Sequence, residues 1–253
     1  MSKKKYGWKR QLPDFRDRKF AVNKKAKLPV SIDLRNFCPP PYDQLDLGSC
    51  TGNALAGAFH IDEIKQNAPH KFIPSRLFIY YFERVLEGTV KQDAGAAIRD
   101  GIKVLNKQGV CSEAMWPYNE SKFTVKPTTQ CVQNALTNRI SQYQSIDNSN
   151  IINIKSALNA KYPVVFGFTV YESFESDAVA QTGIMPMPSP HEAVLGGHAV
   201  CAVGYNDATQ RITVRNSWGA GWGDKGYFYM PYAYITNTDL CDDFWAIDFV
   251  PVH

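Results

Sequence analysis

The hydrophobic periodicity of this 253-residue chain changes once, and that change limits the fold more than any other feature. Between Thr51 and Gln66, residues Leu55, Ala58, Phe59, Ile61 and Ile64 recur at helical spacing. The same spacing predicts helices over Arg76–Leu86, with Ser75 as N-cap, and over Ala96–Lys107, with Gly109 just past the end. A fourth helix is predicted over Asn150–Ala160. Short segments then take over: Val164–Val170, Ala199–Tyr205, Ile212–Ser217 and Gly226–Met230, with Phe244–Phe249 as a further candidate. They are rich in branched and aromatic residues and bounded by Gly, Asn or Asp, which predicts strands. Helices first and strands after predict an α+β fold, divided somewhere between Trp116 and Asn150.

Hydrophobic residues make up 44% and charged residues 21%, a balance that suits a folded globular chain and excludes wholesale disorder. No apolar run reaches the roughly 18 residues of a membrane helix. The N-terminus carries Lys3, Lys4 and Lys5 with no apolar core behind them, so no secretory signal is visible. Charge is divided unevenly. Residues 1–27 hold eleven Lys or Arg against Asp14 and Asp17, a net +9, whereas the remainder holds seventeen bases and twenty-two acids, a net −5. A basic arm of this kind is a candidate for nucleic acid or a membrane surface, and the acidic body offers a partner within the chain. The six cysteines form no C-x-x-C pair, so zinc-finger and thioredoxin spacings are missing, and free thiols are expected without a secretory signal.

Cys50 opens the first predicted helix, after Gly48-Ser49. Free N–H groups and the positive end of the helix dipole favour a thiolate there. His198 follows Gly196-Gly197 at the start of a predicted strand, where the glycines let other backbone approach. Asn216 ends another strand and is followed by Ser217-Trp218-Gly219, then Gly221-Trp222-Gly223. Its amide oxygen suits a histidine ring N–H, and an indole beside that bond excludes water. Each element alone also fits ordinary packing. Together they supply a sulfur nucleophile, an imidazole partner and an orienting group.

These residues resemble the papain family of cysteine peptidases, which includes the cathepsins. The matching positions are Gln44, Gly48-Ser49-Cys50, Gly197-His198-Ala199, Asn216-Ser217-Trp218-Gly219 and Gly221-Trp222-Gly223. Leu28–Arg35 resembles the start of a mature enzyme of the family, Gly109–Tyr118 its inter-lobe segment, and Lys225–Phe228 the strand after the asparagine loop. The pattern, with its short leader, looks most like the bacterial and large-virus branch. The resemblance implies a two-lobed α+β fold. Its helical lobe spans about 28–120, its strand-rich, β-barrel-like lobe about 121–253, and the cleft lies between them; the lobes may exchange terminal segments. It implies Cys50 as nucleophile, His198 as its partner, Asn216 as orienter and Gln44 as oxyanion donor. It further implies that Trp218 shields the His198–Asn216 bond and that Gly95 and Gly197 meet substrate backbone. No metal or organic cofactor is required, and the partner is a peptide or protein substrate. A cytoplasmic or virion-associated location is expected, with an acidic compartment also open.

Three positions depart from the family pattern. Leu47 replaces a structural cysteine, Thr51 replaces an aromatic, and Cys131 lacks its usual disulfide partner. A binding scaffold without catalysis, or a transpeptidase or ligase with the same triad, is the alternative function. A metal site at His191, His198 and Cys201 has no common spacing and lies on both faces of a strand. The leader, residues 1–27, is expected to cap the cleft through charge and through Tyr6, Trp8, Leu12, Phe15 and Phe20; a mobile tail or nucleic-acid arm is the alternative.

Overall fold

The computed structural model describes residues 4–22, 27–68 and 71–249. Three helices come first. They are α1 (Cys50–Lys65), α2 (Arg76–Leu86) and α3 (Ile98–Lys107). α1 is buried along almost its whole length, because α2, α3 and the sheet cover it on several sides. α2 starts where its sequence says it should: the Ser75 hydroxyl accepts the Phe78 N–H at 3.2 Å. α3 starts two residues later than its periodicity predicts. Ala97 keeps an extended backbone, with ψ 138°, and Ala96 spends its N–H and carbonyl on another segment.

The second half builds a sheet from β2 (Ile140–Ser145), β3 (Val164–Tyr171), β4 (Val194–Asn206), β5 (Arg211–Arg215), β6 (Tyr227–Pro231) and β7 (Cys241–Phe249). Their order is β2-β7-β3-β4-β5-β6, every named pairing is antiparallel, and the described pairings leave the sheet open at β2 and β6. A short β1 (Ser31–Asp33) leaves the N-terminal region and pairs with β4, Ile32 opposite Tyr205. Helices α4 (Thr129–Ala135), α5 (Ile151–Asn159), α6 (Asp177–Thr182) and α7 (Tyr232–Ile235) fill the connections. The fold is α+β, as the change of periodicity predicts.

β4 is the central element. It pairs with β1, β3 and β5 and packs against α1, so His198 on β4 lies beside the start of α1. Its register places His198 opposite Phe168 and Gly197 opposite Thr169. Among the described residues, no helix is long and apolar enough to cross a membrane, and no group of metal-ligating side chains gathers. All six cysteines are free.

Candidate active site

Cys50 is the first residue of α1 and is wholly buried. Its sulfur accepts the backbone N–H groups of Ala199, Gly7 and Thr51. One of these donors adjoins His198, one belongs to the N-terminal segment, and one lies in α1 itself. Sequence position favours a lowered thiol pKa here, but burial wins: it pushes Cys50 up to about 11 against the three N–H donors.

The His198 ring is also fully buried, and burial pushes it down to about 4. Its Nε2 lies 2.8 Å from Asn216 Oδ1, and its Nδ1 has no hydrogen-bond partner among the described residues. Trp218 stacks on the ring, centroids 5.1 Å apart and 25° from parallel. His198, Asn216 and Trp218 are all buried. Asn216 Oδ1 also accepts the Ser217 N–H at 2.8 Å, which fixes the amide with its oxygen toward the ring.

Gln44 sits on the other side of the cleft and is wholly buried. The Ser217 hydroxyl donates to its Oε1 at 2.7 Å, and its own N–H donates to the Ser217 carbonyl at 2.8 Å. Those bonds turn the Nε2 outward, where it donates to Leu47 O at 3.0 Å and Lys5 O at 3.2 Å. The family resemblance implies an oxyanion donor at Gln44, and on that expectation Gln44→Ala should lower kcat by about 10²-fold with a small change in KM. Steady-state kinetics with a small peptide check this; a change confined to KM, or a collapse of thermal stability, contradicts it.

Residues 4–9 occupy the cleft itself. The Trp8 N–H donates to Gly197 O at 2.9 Å, the Ala96 N–H to Gly7 O at 2.7 Å, and the Lys9 N–H to Ala96 O at 3.0 Å. The segment runs parallel to the Gly95–Ala96 backbone. Gly95, at φ 68°, leaves no room for a Cβ because Gly7 lies against it; Ala96, not Gly95, makes the hydrogen bonds. Tyr6 packs edge-on to His198 and Trp218, and its hydroxyl donates to Glu175. The charges pair as their signs require: Lys5 with Asp93, Lys9 with Glu87, Arg10 with Asp242, and Asp17 with Arg99. Further along, Phe20 N–H donates to Ser145 O and Ser145 N–H to Arg18 O, both at 2.8 Å. Leu12 and Phe15, expected as anchors, are instead exposed, because they lie on the turn between these two attachments.

Sequence reasoning missed several supporting residues. Asp93 accepts the Gly48 N–H and the Tyr80 hydroxyl, tying the turn before Cys50 to α2. Tyr118 donates to Gln44 O and shares a 2.6 Å bond with Ser49. Thr51, where the family has an aromatic, donates to the wholly buried Glu83 at 2.7 Å. Asp93 stands two residues before Gly95, and that proximity was the one available signal.

A family profile described as papain family cysteine protease matches residues 89–242. The chain is 44% identical over 267 residues to an uncharacterised peptidase C1-like protein of Acanthamoeba polyphaga mimivirus, covering 96% of this chain and 86% of that one. The crystal structure of xylellain, a cysteine protease from Xylella fastidiosa, superposes with a TM-score of 0.92 at 43% identity, over 98% of this chain and 97% of that one. Procathepsin B S9 of Trypanosoma congolense shares the fold at TM-score 0.77 and 18% identity, covering 100% and 88% of the two chains. The chain belongs to the papain family of cysteine peptidases, peptide hydrolases with a thiol nucleophile. Within it, the chain is similar to the bacterial and large-virus members.

Proposed function

We propose that this chain is a cysteine endopeptidase kept inactive by its own N-terminal leader. The reading is carried by the set Cys50, His198, Asn216 and Gln44, drawn from α1, β4, the turn after β5 and the loop before α1. The helical lobe, about 28–120, supplies Cys50 and Gln44, and the strand-rich lobe, about 121–253, supplies His198 and Asn216. Cys50 passes its proton to His198, and the thiolate attacks the scissile carbonyl. Gln44 Nε2 and the Cys50 N–H receive the oxyanion. His198, oriented by Asn216 and shielded by Trp218, returns the proton to the leaving amine. Water then enters, His198 takes its proton, and hydrolysis of the thioester restores the thiol. Gly95 and Gly197 leave space for the substrate backbone.

The leader suits the role of inhibitor because it offers Cys50 an amide N–H, from Gly7, instead of a carbonyl carbon. With the thiol pushed up to about 11 and the imidazole down to about 4, the covered pair stays neutral across that range. Six free thiols fit a reducing location such as the cytoplasm or a virion interior.

An epoxide inactivator of cysteine peptidases tests the reading. It should label Cys50 and none of the other five cysteines, faster once the leader is displaced. Peptide mapping by mass spectrometry reads the site. Labelling elsewhere, or none at Cys50 under displacing conditions, contradicts the assignment.

A further inference from the structure

Two of the six thiols meet away from the cleft. Cys111 follows α3, and Cys131 lies in α4. Both side chains are buried in the same core, and their thiols hydrogen-bond each other. Backbone contacts on both sides bring the segments together. The Val110 N–H donates to Asn138 O at 3.1 Å and Asn138 Nδ2 donates to Val110 O at 3.2 Å, so the chain just past α4 is tied to the residue before Cys111. The Met115 and Trp116 N–H groups turn back to Ser112 O, and the Cys131 thiol donates to Met115 O at 3.6 Å. The Ser75 N–H holds Cys111 O at 2.9 Å, at the head of α2. The other thiols outside the cleft have different neighbours: Cys38 meets Leu34 O, Cys201 meets Ala202 O and Cys241 meets Met230 Sδ. The segment between Cys111 and Cys131 braces the turn before α1. Its Glu113 pairs with Arg76, and its Tyr118 donates to Gln44 O and shares a hydrogen bond with Ser49.

We propose that Cys111 and Cys131 are a redox pair: a small disulfide such as oxidised glutathione closes them to a disulfide of their own, which staples the segment that braces Gln44 and Ser49. The inference stands apart from the peptidase reading. Cys131 reacts first. Its helix is short, with Gln130, Gln133 and Asn134 exposed, so local opening uncovers its sulfur, to which the Thr128 hydroxyl donates at 3.1 Å. Cys111 is wholly buried, and burial pushes its thiol up, reinforced by the neighbouring Cys131. The Cys131 thiolate attacks the glutathione disulfide, one glutathione thiolate leaves, and a mixed disulfide remains. As the helix recloses, the Cys111 thiol gives up its proton and its sulfur attacks the Cys131 sulfur. The second glutathione then leaves as a thiolate. One external disulfide is reduced as one internal disulfide forms, and the two cysteine protons end on the two glutathione thiols. A reduced glutathione pool runs the same steps backwards.

The test incubates the full chain in a series of glutathione buffers from fully reduced to fully oxidised, quenches with acid, alkylates the remaining thiols and maps the tryptic peptides without reduction. Cleavage after Lys122 separates the two cysteines, so a Cys111–Cys131 bond appears as one joined peptide pair. That pair should accumulate toward the oxidised end and vanish on treatment with dithiothreitol. The two cysteines are 20 positions apart. Closing a ring of that size should raise Tm by roughly 5–10 °C in a chain of this length. In Cys111→Ala the reaction should stop at the glutathione mixed disulfide on Cys131. In Cys131→Ala, Cys111 should stay free, and neither variant should gain Tm on oxidation. Where an alanine variant fails to fold, the map of the parent chain decides alone. A map that joins either cysteine to a different one, or that leaves both open to alkylation in the most oxidised buffer, overturns the inference. A closed pair with an unchanged or lowered Tm overturns it as well.

Discussion

A single methyl group added at Gly7 should raise the peptidase activity of the full chain by about 10- to 100-fold. A Cβ there would collide with the Gly48 carbonyl oxygen, on backbone that cannot give way because Asp93 holds the Gly48 N–H. Overpacking of this kind costs about 1–3 kcal/mol, and each 1.4 kcal/mol is about tenfold in leader occupancy. The methyl lies on the leader alone, so the catalytic groups are unaltered. Cleavage of a small fluorogenic peptide measures the gain. The same variant should change the pH dependence of Cys50 alkylation. In the parent chain, the thiol pKa of about 11 keeps thiolate scarce, so the rate should climb through neutral pH and beyond it. With the leader displaced, water reaches both partners and the desolvation that raises the thiol and lowers the imidazole is relieved. The alkylation limb should then move to lower pH. Equal activity and identical pH profiles for Gly7→Ala and the parent would remove the leader from the inhibitory role.

In that Gly7→Ala background, Cys50→Ala should lower kcat by on the order of 10⁵-fold or more, as loss of a nucleophile does. Because Cys50 is buried against Ala199 and Thr51 backbone, alanine fits the space and the fold should persist. His198→Ala should cost nearly as much, and the double variant little more than either, because the two act as one unit. Undiminished digestion by Cys50→Ala would sink the mechanism, and retained specific peptide binding without any cleavage by the parent would favour a binding scaffold.

The sequence made the separate elements legible where local chemistry decides them. Ser75 followed by an apolar-periodic run marks α2 to the residue. The branched run from Val164 marks β3. β2 was invisible because Ser141, Gln142 and Gln144 carry no strand signal; its partner β7 lies about a hundred residues away and supplies the pairing. β4 extends upstream through Gly196 and Gly197, residues that lower strand propensity and are tolerated because Tyr6 and Trp8 press against them. The leader is expected to cap the cleft, and Tyr6 and Trp8 do lie against His198 and Gly197, but which of its apolar residues would anchor it was not legible: Leu12 and Phe15 are exposed. Its charge is compatible with a tail or a cap, and the deciding contacts are glycine against glycine: Gly7 on Gly48 and Gly95. The helix start singles out Cys50, yet the direction of its pKa shift depends on what covers it.

The strand order carries a consequence for the life of the chain during synthesis. Strand β7, the last of the described strands, lies inside the sheet between β2 and β3, and β3 in turn flanks the strand that bears His198. Cys50 and His198 are themselves 148 positions apart, which at ribosomal speeds of about 5–20 residues per second is on the order of ten seconds. A nascent chain thus displays its thiol long before it owns a histidine to activate it, and its sheet lacks an inner strand until β7 has emerged. Residues 4–9 precede the cleft in the chain, so their partners Gly48, Ala96 and Gly197 all emerge after them.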